Sequence, residues 1–168
     1  LVKAELQTNV QKEIVSASTL NAKIYKDGCH LYYTEKSFSD CSYGVTSSPN
    51  TLFLFGDSHA AHWFPALEDF SKRYQFRLVS LTKSACPSAH ITPYNKAFNR
   101  PYTECRAWQN LVLDRIAHEH PLLVILSNSS GHIGTGNNQF SSSEWMKGMR
   151  DTLAVIQESG SKIAIIRD

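Results

Sequence analysis

At 168 residues, 42% of them hydrophobic and 19% charged, the chain has the size and composition of one folded domain with a buried core, which excludes a disordered segment. Its net charge of +2, from 17 Lys and Arg against 15 Asp and Glu, is too balanced for a nucleic-acid binder. The longest near-apolar stretch, Pro121 to Leu126, falls far short of the ~18 residues that a membrane-spanning helix needs.

In chain order, Leu1 to Leu20 carries Leu6, Val10 and Ile14 at helical spacing and predicts a helix. Its first ten residues are charged and lack a signal-peptide core. Asn21 to Asn50 is polar, rich in Ser, Tyr and Lys, and reads as a loop-rich lead-in that ends at the turn signal Pro49-Asn50. Residues 1–50 are therefore expected to be an N-terminal linker or extension, and 51–168 an α/β domain. Thr51 to Phe55 is a short continuous apolar run, as expected of a strand buried on both faces. Ala60 to Tyr74 predicts a helix with Ala61, Phe64, Leu67 and Phe70 inward, and Trp63 also assigned to the core. Phe76 to Leu81 predicts a strand. Thr82 to Pro101, with three prolines and no period, predicts a long loop. A helix over Glu104 to Glu119 would bury Trp108, Leu111, Val112 and Ile116; Leu122 to Leu126 would be the next strand. Ser127 to Ser142 is a Gly/Ser/Asn loop. Ser143 to Ser159 predicts a helix with Met146, Met149, Leu153 and Ile156 inward, stopped by Gly160. Lys162 to Ile166 is a last strand. The absence of an initiator Met, and a strand-like run reaching Asp168, predict a domain cut from a longer chain.

Strands alternating with helices in this way predict an open parallel α/β sheet with helices on both faces. Ligands bind such sheets at the carboxyl ends of the strands. That rule selects Gly56-Asp57-Ser58-His59, the loop from Thr82, and Ser127-Asn128-Ser129-Ser130. Gly56 permits a sharp turn, and Ser58 then opens a helix, where free backbone N–H groups and the positive end of the helix dipole would stabilise an oxyanion. A helix N-cap is an equally good account of Asp57 or Ser58. The spacing matches neither the nucleophile elbow Gly-x-Ser-x-Gly nor a phosphate loop.

The four cysteines form no Cys-x-x-Cys and have no zinc-finger spacing, so no metal site is expected. Of the three possible pairings we favour Cys29–Cys41 with Cys86–Cys105, since each closes a short polar loop. Disulfides would place the domain in an oxidising compartment; four buried free thiols in a cytosolic protein are the alternative. Among the histidines, His59 is expected to shape the site, His62 to lie on a helix surface, and His132 to be a solvated loop residue, with a place lining the cleft as its alternative. His30, His90, His118 and His120 read as surface. His118-Glu119-His120 is no metal motif, because positions i and i+2 of a helix face apart.

The run Leu54-Phe55-Gly56-Asp57-Ser58-His59-Ala60-Ala61 resembles the first block of the SGNH (GDSL-like) hydrolase superfamily. In particular it resembles the SGNH domain fused to membrane-embedded acyltransferase family 3 proteins, which O-acetylate surface polysaccharides. Thr82-Lys83-Ser84-Ala85-Cys86-Pro87 and Cys105-Arg106-Ala107-Trp108-Gln109-Asn110 resemble later segments of that branch, and the likeness covers roughly Thr51 to Leu126. It supports the Cys86–Cys105 pairing a second time. The resemblance implies a flavodoxin-like SGNH fold, Ser58 as acyl nucleophile, and an oxyanion hole from the Ser58 N–H, a donor near Ser84 or Ala85, and Asn128, with Asp57 and His59 shaping the site. It implies no cofactor. The partners implied are an acyl donor delivered by a membrane acyltransferase domain and a saccharide acceptor, on the periplasmic side or the cell surface. Two departures stand out. The third block reads Ser127-Asn128-Ser129-Ser130 in place of Gly-x-Asn-Asp, so a turn residue is an even alternative for Asn128. The family's Asp-x-x-His does not occur in these residues, so either that block lies outside them and the isolated chain is inactive, or another histidine, His59, His62 or His132, serves as base. A free-standing carbohydrate or lipid esterase, and a catalytically silent glycan-binding domain, are the alternative functions.

Overall fold

The computed structural model describes residues 22–37, 39–134 and 139–167; the helix predicted over Leu1 to Leu20 lies outside them. The elements in chain order are α1 (Lys23–Lys26), β1 (His30–Leu31), β2 (Ser42–Gly44), β3 (Thr51–Gly56), α2 (Ser58–Arg73), β4 (Arg77–Lys83), β5 (Tyr94–Asn95), β6 (Arg100–Pro101), α3 (Thr103–Glu119), β7 (Leu123–Ser127), a 3-10 turn (Ser130–His132), α4 (Ser142–Glu158) and β8 (Lys162–Ile166). The main sheet runs β1-β4-β3-β7-β8, all parallel, and β2 joins β4 antiparallel.

β3 lies at the centre, and all six of its residues are buried. Its alternating side chains feed two cores. Leu52 and Leu54 pack with Ala60, Ala61 and Phe64 of α2. Phe53 and Phe55 pack on the other face with Trp108, Val112 and Ile116 of α3 and Met149 and Ile156 of α4. A strand covered on both faces has no polar side, so its sequence reads as an unbroken apolar run.

The helices keep narrower apolar stripes than their spacing predicted. Trp63 and Phe70 of α2, Leu111 of α3 and Met146 of α4 are exposed. Trp63, Phe70 and Leu111 each sit one position off the buried stripe: Phe70, for instance, precedes the fully buried Ser71 and stacks on Phe76 instead.

Two stretches expected to be loop contain strands. β1 and β2 lie within the polar lead-in and share the edge of β4, registering His30 with Thr82 and Tyr43 with Leu78. Leu31 of β1 and Tyr43 of β2 are buried, as is Ile24 of α1, and the Cys29–Cys41 disulfide joins the segment to itself. The long loop after β4 carries the small β5–β6 hairpin and is bound to the helices at several points. Cys86 is disulfide-bonded to Cys105 of α3, Gln109 Nε2 donates to the carbonyls of Pro87 and Ala89, and Thr152 Oγ1 of α4 donates to that of Ser88. These ties hold the carboxyl edge of the sheet, where the loops after β3, β4 and β7 meet.

Candidate active site

The turn after β3 depends on Gly56. A Cβ there would lie 1.9 Å from the Ser127 carbonyl oxygen of β7, so only glycine lets the two strands approach so closely before the chain turns into α2. Asp57 follows as the helix N-cap and is 1% exposed. Its Oδ1 accepts from the His59 N–H at 2.8 Å. Its Oδ2 reaches across the sheet edge and accepts from the Ser129 N–H at 2.9 Å and from His132 Nε2 at 2.8 Å. Three donors on a buried carboxylate account for its burial.

Ser58 is therefore the first residue of α2, and its N–H lies outside the intrahelical ladder. It is partly exposed in a cavity of about 340 Å³ lined by Tyr33, Asp57, His59, Ser84, Ala85, Ser129, Gly131 and His132. The Ser58 hydroxyl has no hydrogen-bond partner among the described residues.

The other residues singled out in the sequence fall in different places. Ser84 lines the cavity, but its N–H donates to the Leu31 carbonyl at 2.8 Å and is not free for an oxyanion. The adjacent Ala85 N–H has no partner among the described residues; Ala85 holds the positive φ of 51° that turns it into the cavity wall. Asn128 is not in the wall. Its Oδ1 accepts from the Ser88 N–H at 2.7 Å and its Nδ2 donates to Ser88 Oγ at 2.8 Å, a side-chain bracket between the loops after β7 and β4. His59 lines the cavity beside Ser58, and His62 is exposed.

Two histidines differ from their expected environments. His132 is not a solvated loop residue: its side chain is 14% exposed, bonded to Asp57 and stacked on Trp145 with an interplanar angle of 17°. His30 is not on the surface but 1% exposed, with Nδ1 bonded to Thr82 Oγ1 and Nε2 to Ser84 Oγ, each at 3.0 Å. Burial lowers its pKa to about 4, so at neutral pH it is an uncharged bridge that orients the Ser84 hydroxyl. Lys83, also unforeseen as a site residue, is fully buried, and its ammonium donates to the carbonyls of Tyr32, Tyr33 and Glu35. It thereby holds Tyr33 against the cavity.

An open, mostly parallel α/β sheet with a serine at the turn from its central strand into a helix defines a recognisable class of α/β domains. The chain belongs to the SGNH domain family described as fused to AT3 domains, whose model matches residues 24–168. Among solved structures it is similar to the periplasmic domain of the lipopolysaccharide acetyltransferase of Salmonella ser. Paratyphi A, with 20% identity over 73% of this chain and a TM-score of 0.57. It spans 46% of that structure's chain. No curated protein sequence matches it significantly. Among the described residues, no helix is long and apolar enough to cross a membrane, and no three His, Cys, Asp or Glu side chains are grouped to hold a metal ion.

Proposed function

We propose that this is an extracytoplasmic domain that carries an acyl group, most simply acetyl, on Ser58 and transfers it to a saccharide hydroxyl. One observation carries the reading: in a chain of this family, Ser58 opens a helix and lines a cavity whose wall also includes Ala85. Ser58 Oγ would attack the acyl carbonyl, forming the ester bond. The negative charge that develops on the carbonyl oxygen would be met by the Ser58 and Ala85 N–H groups and the α2 dipole. The donor's leaving group departs, and the acceptor hydroxyl then attacks the acyl-serine and regenerates Ser58. Water in place of the sugar would make the same site an esterase.

A serine hydroxyl needs a base at neutral pH. His132 lines the cavity and is bonded to the buried Asp57 carboxylate, which holds an imidazole in one tautomer and stabilises its protonated form. We take His132 as the base on that geometry. The disulfides fit an oxidising compartment, and the family's AT3 partner fits delivery of the acyl group from a membrane domain. The test is acetate release from 4-nitrophenyl acetate. Ser58→Ala is expected to abolish it, and His132→Gln to lower it by about 100-fold or more. Equal rates for wild type and Ser58→Ala would end the acyl-enzyme reading.

A further inference from the structure

A second cavity, of about 380 Å³, adjoins the first and shares four of its lining residues, Tyr33, Ala85, Gly131 and His132. Its far side is formed by the β5–β6 hairpin with Tyr94 and Lys96, and Tyr102 lies beneath. We propose that this cavity is the acceptor subsite, and that it holds one pyranose ring with a hydroxyl presented over the shared wall to Ser58. The proposal rests on the acyl-Ser58 reading for its purpose but not for its binding test.

The aromatic side chains carry the argument. Tyr33 and Tyr94 are each 38% exposed and line the same cavity. Exposed tyrosines offer a flat apolar face and a polar tip, which suits a sugar with C–H groups on one face and hydroxyls around its rim. Both are held in place before any ligand arrives. The Tyr94 hydroxyl donates to Asn99 Oδ1 at 2.6 Å. The Tyr33 ring meets Phe98 edge-on at 6.0 Å and Tyr102 at 5.7 Å, while its carbonyl accepts from the buried Lys83. Asn95, 5% exposed, turns the hairpin by accepting from the N–H groups of Ala97 and Phe98. Platforms fixed in this way lose little freedom on binding.

Charge narrows the ligand. Lys96 is exposed at the cavity and has no carboxylate partner among the described residues, whereas nearby Arg100 is paired with Glu104 at 2.6 Å. The unpaired ammonium favours an acidic sugar over a neutral one of the same shape.

Saturation-transfer NMR on the Ser58→Ala chain tests this without any chemistry. The probes are methyl β-D-glucopyranoside, methyl β-D-galactopyranoside and methyl β-D-glucuronide at millimolar concentration. Saturation is expected to reach the ring C–H groups, with the glucuronide bound several-fold more tightly than the glucoside, a preference that Lys96→Met removes. Tyr94→Ala and Tyr33→Ala should each weaken binding by about tenfold. Tyr94→Phe, which keeps the ring, should retain most of it. Tyr74→Ala, at the opposite end of α2, should change nothing. Circular dichroism establishes that each variant is folded. No transfer to any of the probes, or transfer that persists in both tyrosine-to-alanine variants, overturns the subsite. So does a Tyr94→Ala protein whose only defect is a raised KM for the acyl donor 4-nitrophenyl acetate, because the cavity would then hold the donor. If Ser58→Ala leaves ester turnover intact, the acyl-enzyme reading fails, while the binding result still decides the subsite.

Discussion

The ends of β3 and β7 are neighbours in the sheet, with Gly56 registered on Ser127, yet they contribute to the site in opposite ways. After β3 the chain turns within two residues, and the backbone itself places the functional groups. Gly56 allows the close approach, Asp57 caps the helix, and Ser58 is delivered with its N–H outside the helical ladder. After β7 side chains hold the first residues in place: Asn128 to Ser88, Ser129 to the Gly131 N–H, His132 to Asp57. Ser58 thus sits at the strand end set by backbone geometry, and His132 at the one set by side-chain hydrogen bonds. Asp57 is the joint, since it serves its own helix through one oxygen and the β7 loop through the other.

Substitutions at the two strand ends should therefore differ in kind. The largest effect is expected from Gly56→Ala. Its Cβ cannot coexist with the Ser127 carbonyl, so β3 and β7 must separate, costing about 4 kcal/mol or more in urea denaturation. A small loss would mean that the turn is softer than its geometry indicates. Asp57→Ala should come next, at about 3 kcal/mol, because it strands a helix N–H, the Ser129 N–H and His132 together. Asp57→Asn should recover the cap but not the partner of His132, separating the stability role of Asp57 from its effect on ester turnover. Asn128→Ala should cost about 1–2 kcal/mol through the fully buried Ser88, and should lower stability more than it lowers kcat. A fall in kcat with unchanged stability would instead return Asn128 to the oxyanion hole. A further effect concerns pH. His30 titrates near 4 when folded and near its ordinary ~6.5 when unfolded, so the unfolded chain takes up the proton first. Stability should fall as pH drops from about 6.5 towards about 4 and level off below that; His30→Gln should flatten this part of the profile.

Much of the architecture was legible because it is local. A continuous apolar run of strand length, followed by residues at helical spacing, specifies a buried parallel strand and its crossover helix wherever it occurs. β3, β4, β7, β8 and the three long helices follow from that pattern, and Ser58 follows from the rule that sites gather at strand ends. β1 and β2 were not legible, since strands of two and three residues in a polar stretch carry no period. They exist because β4 has an open edge to pair with and the buried Lys83 gathers the carbonyls beside them.

The chain's own pattern of apolar and turn residues thus determined the layered sheet, the two-faced burial of β3 and the position of Ser58 at its end. Each of these depends on residues a few positions apart, whose interactions are set by backbone periodicity. Tertiary structure alone decided which groups surround Ser58. The Asp57–His132 bond spans 75 positions, His30 meets Ser84 across 54, and Asn128 turns to Ser88 across 40. No local signal marks these partners, because a buried polar group accepts whichever complementary atom the packing brings within reach.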